Sequence, residues 1–487
     1  MTRAVNRVWR RAAAVLVTTV GVAAIVATGP PPPPELRLSS TPALPCRGET
    51  VTLSWSFGPS DHAPPDSFEL IGSPADAFDP PLGETVTGAT GERTLTVRAP
   101  AFVGADHPSG LLWWQPLGID AVDCDALGLQ EPIAERSWVA LAADPTGTDL
   151  IGATLPLTEG GTSHLRRWSP SLVAGAPIAI DGVVRAVAVA ADGRLGVTGA
   201  WRDPDAEGTV TTAFTAVLAA DGTELWRDDL ALPPDGVGDG SGLALAFAAD
   251  GGLVVAGTRP GTGSREGFVR RYDDQLDLAW DHTLTARLDV EARAVTIDAG
   301  GGVHVAGESR GVLDAGDNII NPRAFLRRLD ADGVEQWTEH RDRGFGQALA
   351  PLDGDHMLLV AGRLTAFETD GAEAWNRAAT SRQRFVLAVP DGSGGAFLAS
   401  QVTVDPFGRG LVPHVDVQLE RIDAAGTLLA AQHIGSLDDE TAIAMSAWPA
   451  AGSGGLAVAG TTFGSLLDRR PEGREEPDAF LFVLEVD

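Results

Sequence analysis

The 487-residue chain contains no lysine, one tyrosine and only two cysteines, and these shortages narrow what the protein can be. A phosphate-binding loop requires a lysine, so the glycines of residues 257–267 are interpreted as a turn between strands. With 36 basic and 66 acidic residues, the net charge is −30. Because such a chain repels nucleic acid phosphates and anionic lipid surfaces, we expect neither as a partner.

Metal-binding and nucleophile motifs are also missing. The 9 histidines are scattered, and no Gly-x-Ser-x-Gly elbow is present. His304 is interpreted as a packed strand residue. Two acidic stretches could hold calcium through their oxygen atoms, but neither has the spacing of the twelve-residue calcium loop, and acidic hairpin tips explain both. The oxygen-bearing residues are Asp203, Asp205 and Glu207 in one stretch and Asp314, Asp317 and Asn318 in the other. We therefore predict no cofactor, with calcium as the only ion considered.

Long apolar runs are absent except for Ala12 to Ala27. Arginines precede this run and small residues follow it, which is the pattern of a secretory signal peptide over residues 1–29. The run is short for a membrane span, although an uncleaved anchor stays open as an alternative. We expect an exported protein, located outside the cell, in the periplasm or at the cell envelope. The prolines of residues 30–35 predict a stiff linker.

Residues 36–108 alternate apolar and polar positions in ELRLSS, ETVTLSWSF, DSFELIG and ERTLTVRAP. This period of two predicts strands with one buried face, and hence a small β-sandwich. CRGETVTLSW resembles the second strand of bacterial immunoglobulin-like domains, although Cys46 precedes that strand instead of lying within it. In an exported chain Cys46 and Cys124 have one possible intramolecular pairing. We predict that disulfide, against the alternative of two buried free thiols.

From about residue 137 a small-large-small triplet recurs roughly every 50 residues. Its seven copies begin at Ala140, Ala186, Ala244, Ala294, Ala348, Val386 and Ala442. A second strand that ends near a glycine follows each copy. The distance from the start of the triplet to this glycine is the same in three units, between residues 186 and 199, 244 and 257, and 294 and 307. These positions are Gly152, Gly199, Gly257, Gly307, Gly362 and Gly460, with Ser400 in the sixth unit. A third strand then leads into a turn.

In several units the turn leads into a strand that carries a tryptophan: Trp226, Trp280, Trp337 and Trp375. Four short strands per unit, repeated seven times, predict an all-β fold with a seven-bladed β-propeller over residues 109–487, preceded by the immunoglobulin-like β-sandwich. The turn glycine takes a positive φ, and each tryptophan is predicted to pack against the next blade.

A closed ring needs a fourth strand for the seventh unit, which lacks a turn-tryptophan strand. SGLLWWQPLG, residues 109–118, is predicted to supply it and thereby to shield the sheet edges. The alternative assigns this stretch to the sandwich and moves the domain boundary to about residue 125, so the boundary is open between residues 106 and 126.

The repeats resemble those of secreted bacterial β-propeller proteins, the SBBP-like class. The matching stretches are AVAVAADGRLGVTG with AFTAVLAADGTELW, and AVTIDAGGGVHVAGESRGVLDAG with AFLRRLDADGVEQW. This resemblance covers most of residues 137–487 and implies a scaffold, not a reaction.

Two functions from different classes follow from the sequence. The first is an exported, non-catalytic scaffold that binds a protein or glycan through its loops, which are lengthened at residues 202–212 and 310–322. The second is a propeller enzyme of the lyase or hydrolase type with its site at the axial channel. Polar side chains clustered at the channel mouth would favour the enzyme, and the alanines of the first strands favour the scaffold.

Overall fold

The computed structural model describes residues 35–41, 50–57, 67–73, 78–80, 82, 84–87, 90–97, 101–106, 113–114, 117–119, 127–132, 136–145, 149–156, 162–202, 211–230, 239–314, 321–342, 344–353, 356–404, 413–436, 438–448, 455–463 and 478–485. Within these ranges the regular structure is strands β1 to β37, and none of it is α-helix. The same ranges accordingly contain no helix that could span a membrane.

The first nine strands form two small sheets. Their bounds are β1 Glu35–Thr41, β2 Thr50–Phe57, β3 Ser67–Ser73, β4 Phe78–Asp79, β5 Glu84–Thr87, β6 Thr90–Val97, β7 Ala101–Asp106, β8 Trp113–Trp114 and β9 Leu117–Ile119. One sheet has the order β4-β6-β2-β1-β8 and the other β5-β3-β7-β9. Along β2 the buried residues alternate, and Val51, Leu53 and Trp55 share one core with Phe68 and Leu70 of β3. The period-two pattern of this region therefore does produce half-buried strands.

The other strands form seven four-stranded sheets, which are the blades of a propeller. The first four blades are β11 Arg136–Ala143, β12 Leu150–Pro156, β13 Ser163–Trp168 and β14 Ile178–Ile180; β15 Val183–Val189, β16 Leu195–Trp201, β17 Thr212–Leu218 and β18 Glu224–Asp229; β19 Ser241–Phe247, β20 Leu253–Pro260, β21 Arg265–Tyr272 and β22 Leu278–Leu284; β23 Val290–Ile297, β24 Val303–Arg310, β25 Pro322–Leu329 and β26 Glu335–Asp342.

The last three blades are β27 Ala348–Pro351, β28 Met357–Val360, β29 Arg363–Phe367 and β30 Glu373–Ala378; β31 Gln383–Pro390, β32 Ala396–Val404, β33 His414–Ile422 and β34 Leu428–Ile434; β35 Glu440–Ala447, β36 Gly455–Thr462 and β37 Asp478–Glu485 with β10 Leu127–Pro132. The first strands of neighbouring blades contact one another around the ring, and β35 contacts β11 to complete it. First strands therefore line the axis and fourth strands lie at the rim. The predicted seven-bladed β-propeller is confirmed.

The ring closes with β10 and not with the predicted segment. β10 pairs antiparallel with β37, so that Leu127 lies opposite Val483 in the seventh blade. Residues 109–118 were the wrong choice, because Trp113–Trp114 pair with β1 and Leu117–Ile119 pair with β7. The sequence around Trp113 and Trp114 is similar to the tryptophan strands of the repeats, which is why it was chosen. The strand that closes the ring, β10, has no aromatic residue. This is the arrangement of the alternative that placed the stretch with the N-terminal strands.

The recurrent glycine of the second strand is explained by a β-bulge. In six blades the pairing of the first two strands shifts by one residue at the same place. Opposite this bulge lie Gly199, Gly257, Gly307, Gly460 and, in the sixth blade, Ser400. A Cβ on Gly307 would lie 1.8 Å from the carbonyl oxygen of Glu291. The glycine recurs because the bulge brings a backbone carbonyl against it.

Two glycines of the predicted series have other roles. Gly152 lies opposite Leu141, and a Cβ there would meet the rings of Trp138 and Trp168. Gly362 lies in the turn between β28 and β29 with a φ of 74°. The first blade has Thr154 opposite its bulge, and no register shift marks the fifth blade's described strands. The glycines that recur in the sequence therefore serve three different purposes: they lie opposite a bulge, make room for tryptophan rings, or adopt a positive φ in a turn.

Three of the four tryptophans make the same contact with the following blade. Each lies over the glycine of that blade's turn between third and fourth strands, and each indole N–H donates to a carbonyl in the turn. The pairs are Trp280 with Gly333 and Ala331 O at 2.9 Å, Trp337 with Gly371 and Thr369 O at 2.8 Å, and Trp375 with Gly426 and Ala424 O at 2.8 Å. The turn glycines have φ between 79° and 89° and no room for a Cβ.

The contact changes at the other blade junctions. Trp226 packs edge-on against Tyr272, with ring centroids 4.8 Å apart, because the third blade's turn has Leu276 instead of glycine at positive φ. In the first blade Ile178 lies against Gly222 in the tryptophan's place. In the sixth blade the register places Ala430 there. The seventh blade takes its fourth strand from β10, so it has no third-to-fourth turn on which a tryptophan could lie.

A second repeated contact fixes the turn between first and second strands. An aspartate in this turn pairs with an arginine of the third strand: Asp149 with Arg167, Asp250 with Arg271, Asp298 with Arg328 and Asp391 with Arg421. Burial would raise the pKa of Asp298, but His304, the Gly302 N–H and Arg328 outweigh it and hold that pKa below its usual value. His304 is buried, with Nε2 3.2 Å from Asp298, as its interpretation as a packed residue requires.

Substitution of the bulge glycine tests this account of the repeat. Gly307→Ala should lower the free energy of unfolding by about 2–3 kcal/mol, because the added methyl overlaps the Glu291 carbonyl. Gly263→Ala is the matched control, since nothing lies within 4 Å of the position that its Cβ would take, and it should change stability by less than about 0.5 kcal/mol. Urea denaturation measures both. Equal losses in the two variants would contradict the proposed crowding.

The indole hydrogen bond is tested by a second pair of variants. Trp337→Phe keeps a ring over Gly371 but removes the N–H donated to Thr369, whereas the Trp226 indole packs on Tyr272 and donates to no turn carbonyl within the described ranges. We expect Trp337→Phe to cost about 1 kcal/mol more than Trp226→Phe in urea denaturation. A cost that is the same for both would show that ring packing alone joins the blades.

Candidate functional site

The two faces of the propeller differ in their connections. We call the end of each blade where the first strand begins the entry face, and the opposite end the exit face. On the exit face most consecutive strands are joined by tight five-residue turns such as 190–194, 298–302 and 330–334, although the connection between β13 and β14, residues 169–177, is longer. On the entry face the connections vary from residues 361–362 to residues 463–477. Variable connections on a rigid scaffold are the usual place of binding sites, so the entry face is the candidate functional surface.

A cavity of about 890 Å³ opens on the entry face where the fourth, fifth and sixth blades meet. It is formed by the start of β25, the segment that leads into β27, the turn before β29 and the start of β31. Its lining residues are Asn321, Pro322, Arg323, Gly344, Phe345, Gln347, Gly362 and Arg384. These described residues include two guanidinium groups and no carboxylate, in a chain whose net charge is −30.

Arg384 is held in place by an uncharged partner. With the Gln347 amide assigned the orientation that satisfies both neighbours, its oxygen accepts a hydrogen bond from Arg384 Nη2 at 3.0 Å and its nitrogen donates one to the Phe385 carbonyl at 3.0 Å. Arg384 is exposed, and within the described ranges it pairs with no carboxylate. Phe345, another lining residue, keeps 41% of its surface exposed. The cavity thus combines a positive charge, an exposed aromatic ring and side-chain amides.

A second polar group lies at the junction of the sixth and seventh blades. Asp416 of β33 is buried, and its two carboxylate oxygens lie 3.4 Å from His414 Nε2 and 2.9 Å from His433 Nε2. Gly435 lets this carboxylate approach, since a Cβ there would lie 2.7 Å from it. Burial would raise the pKa of Asp416, but the two histidines outweigh it and lower that pKa. His433 is half exposed and is oriented by a buried carboxylate.

Glu440, at the start of β35, is fully buried beside this group. Ser436 Oγ and Thr462 Oγ1 donate to its carboxyl at 2.6 and 2.7 Å, and the Ser436 N–H donates at 3.0 Å. Burial raises the pKa of Glu440 to about 8; the hydroxyl groups oppose this rise and the nearby Asp416 adds to it. The two carboxyl groups of this junction therefore have pKa values shifted in opposite directions, upward for Glu440 and downward for Asp416.

The predicted disulfide and most of the predicted calcium ligands fall outside the described residues. These are Cys46, Cys124, Asp203, Asp205, Glu207, Asp317 and Asn318. Asp314 is described, and its carboxylate accepts from Thr285 at 2.9 Å and pairs with the buried Arg327 at 2.7 Å. Among the residues with a described position, no three acidic, histidine or cysteine side chains are grouped as a metal site would need.

The sequence did not single out either polar group. Phe345 and Gln347 are neighbours in the segment that leads into β27, whereas Arg384 lies in the next blade, so only the ring brings Arg384 to them. Asp416 and Glu440 have a faint signal, because a charged residue at an apolar position of a strand is unusual. The lengthened connection at residues 310–322 does lead into the cavity wall, at Asn321 and Pro322.

No family model matches the chain, and no curated protein matches it either. Several solved propellers are distantly similar. A streptogramin B lyase has a TM-score of 0.43 and 9% identity, and the match covers 73% of this chain and 97% of the lyase. The C-terminal WD40 domain of Sif2 has a TM-score of 0.40 and 10% identity, over 73% and 99% of the two chains. Virginiamycin B lyase from Staphylococcus aureus has a TM-score of 0.37 and 11% identity, over 62% and 96%. No activity follows from similarities this distant.

The raised pKa of Glu440 predicts a pH dependence of stability. Between its unfolded value of 4.5 and the folded value of about 8, the folded protein keeps a proton that the unfolded chain has released. The contribution of Glu440 to stability is therefore complete below pH 4.5 and falls as the pH rises toward 8. Glu440→Gln cannot titrate, so the wild type should lose stability relative to this variant from pH 5 to pH 8 in urea denaturation. Parallel pH profiles would contradict the assignment.

Proposed function

We propose that this is an exported binding protein whose propeller binds a protein or glycan through the entry face. The observation that carries the proposal is the cavity of about 890 Å³ whose described lining has two arginines and no carboxylate. Cavities of this size are typical of ligand sites. The contrast between tight exit-face turns and variable entry-face connections supports the same surface. Export rests on the signal pattern of residues 1–29, and secretion is the compartment in which the Cys46–Cys124 disulfide would form.

The N-terminal strands are proposed to form an immunoglobulin-like domain that acts as a spacer or a second binding module. Their strand order supports this. β1, β2 and β6 are neighbours in one sheet, and β3, β7 and β9 are neighbours in the other. Immunoglobulin sandwiches divide their strands in the same way, with the first, second and fifth strands in one sheet and the third, sixth and seventh in the other.

A propeller enzyme of the lyase or hydrolase type is the second candidate, and one observation favours it. His433 is half exposed and is held by the buried Asp416, and a carboxylate that orients an accessible imidazole is the arrangement that acid–base catalysis uses. This group lies on the third and fourth strands of the sixth blade. It is therefore distinct from the axial site that the sequence suggested for an enzyme.

Hydrogen exchange can test which face binds. Ligands would first be selected from a glycan array and from purified envelope proteins. On binding, amide protection should rise in entry-face segments 285–289, 379–382 and 438–439 and stay unchanged in exit-face turns 330–334, 368–372 and 423–427. Protection confined to the exit-face turns would overturn the proposal. Mass spectrometry of the recovered ligand separates the two candidates, because a binding protein returns it unchanged and a lyase or hydrolase does not.

A further inference from the structure

We infer that the entry-face cavity binds an anionic oligosaccharide, with Arg384 on the carboxylate or sulfate of the sugar and Phe345 on the face of a sugar ring. This inference rests on the proposed function and specifies its ligand class. It is drawn from three features of the lining: charge, donor geometry and the exposed ring.

The charge of the cavity runs against that of the chain. Other arginines near the entry face are neutralised, as Arg259 is by Asp281 at 3.0 Å and Arg265 by Glu291 at 2.8 Å. Arg384 has no such partner among the described residues. Arg363, which follows the lining Gly362, and Arg382 are also exposed, and neither forms an ion pair within the described ranges. Exposed guanidinium groups that have no carboxylate partner in the described ranges, within a chain of net charge −30, attract an anion to this part of the surface.

The donors of the cavity are prearranged. Gln347 accepts one N–H of Arg384, which fixes the plane of the guanidinium and leaves its other N–H groups for a ligand. A planar guanidinium binds a carboxylate or sulfate with two parallel hydrogen bonds. Because the orienting partner is an amide and not a carboxylate, the charge of Arg384 remains available. The Arg384 side chain is thus held in position by Gln347 while its positive charge stays available to a ligand.

Phe345 and the amides favour a sugar over an acidic peptide. An exposed aromatic ring presents its negative face to the C–H groups of a pyranose ring, and Asn321 and Gln347 suit hydroxyl groups. A peptide gains most of its affinity from large side chains in apolar pockets. Here Phe345 and Pro322 are the apolar side chains of the described lining, and the rest are polar residues or glycine.

The test is titration calorimetry of the purified full chain with three matched tetrasaccharides. Hyaluronan tetrasaccharide carries carboxylates, keratan sulfate tetrasaccharide carries sulfates and chitotetraose is neutral. We expect one of the anionic sugars to bind at least about tenfold more tightly than chitotetraose, and Arg384→Gln to remove that difference. Phe345→Ala should weaken every sugar that binds. Preference between the two anionic sugars identifies the anion.

Two control variants separate the cavity from general effects. Arg185→Gln removes another exposed arginine of a first strand without an ion pair in the described ranges, and Phe463→Ala removes a phenylalanine that is 43% exposed. Both should bind like the wild type, and circular dichroism and urea denaturation confirm that all four variants are folded. Loss of binding in Arg185→Gln as well would mean nonspecific charge attraction and would overturn the inference.

The remaining results are equally decisive. Equal affinity for neutral and anionic sugars, with loss in Phe345→Ala, would overturn the anionic class while the proposed glycan binding survives. An aspartate-rich peptide is titrated as a fourth probe. If it binds while no sugar does, and Arg384→Gln removes that binding, the sugar is overturned and a protein partner is left. No binding of any probe that depends on Arg384 or Phe345 would overturn the cavity as the site, and the hydrogen-exchange experiment would then judge the entry face independently.

Discussion

The contact between one blade's fourth strand and the next blade's turn is the constraint on which the ring depends. The outer strand of a blade forms no ladder with the next blade, so side-chain contacts join adjacent blades, together with single backbone hydrogen bonds such as that from the Asp353 N–H to the Gly394 carbonyl at 2.7 Å. The indoles of Trp280, Trp337 and Trp375 make this joint by lying on a glycine and donating to a carbonyl in the same turn. The turn therefore needs glycine for two reasons, its positive φ and the space that the indole occupies. A tryptophan on one blade and a glycine on the next thus define the relative position of the two sheets.

The repeat pattern predicted the architecture because each repeated residue meets a local backbone requirement. Wherever the same strand pairing recurs, the same residues recur: the bulge glycines, the turn glycines and the aspartates of the tight turns. The number of these repeats along the sequence therefore gives the number of blades. Closure was harder to predict, because the pairing of β10 with β37 depends on complementary edges and involves no repeated residue. Trp113 and Trp114 led to the wrong closing strand because a tryptophan-containing stretch marks the fourth strand in blades two to five.

The candidate site was almost invisible in the sequence, and the reason is physical. Phe345, Gln347 and Arg384 come from two blades and lie together only because the first strands converge on the axis. The buried Asp416 and Glu440 occupy the junction at which Ala430 replaces the tryptophan. At that junction charged and hydroxyl side chains, hydrogen-bonded to one another, fill space that apolar packing fills elsewhere. The exception to the repeat at Ala430 therefore locates the Asp416–Glu440 group better than the repeat itself does.

The pairing of β10 with β37 has a consequence for the order of folding. Leu127 is synthesised long before Val483, so six blades can form along the growing chain by local pairing while the seventh waits. Until that late strand arrives, β10 presents an unpaired edge that could recruit the same segment from another molecule. Joining these distant segments carries the largest loop-closure entropy in the ring. Assembly of the propeller thus ends in a single long-range step, and exchange of the last strand between two copies is the characteristic error to which such a chain is exposed.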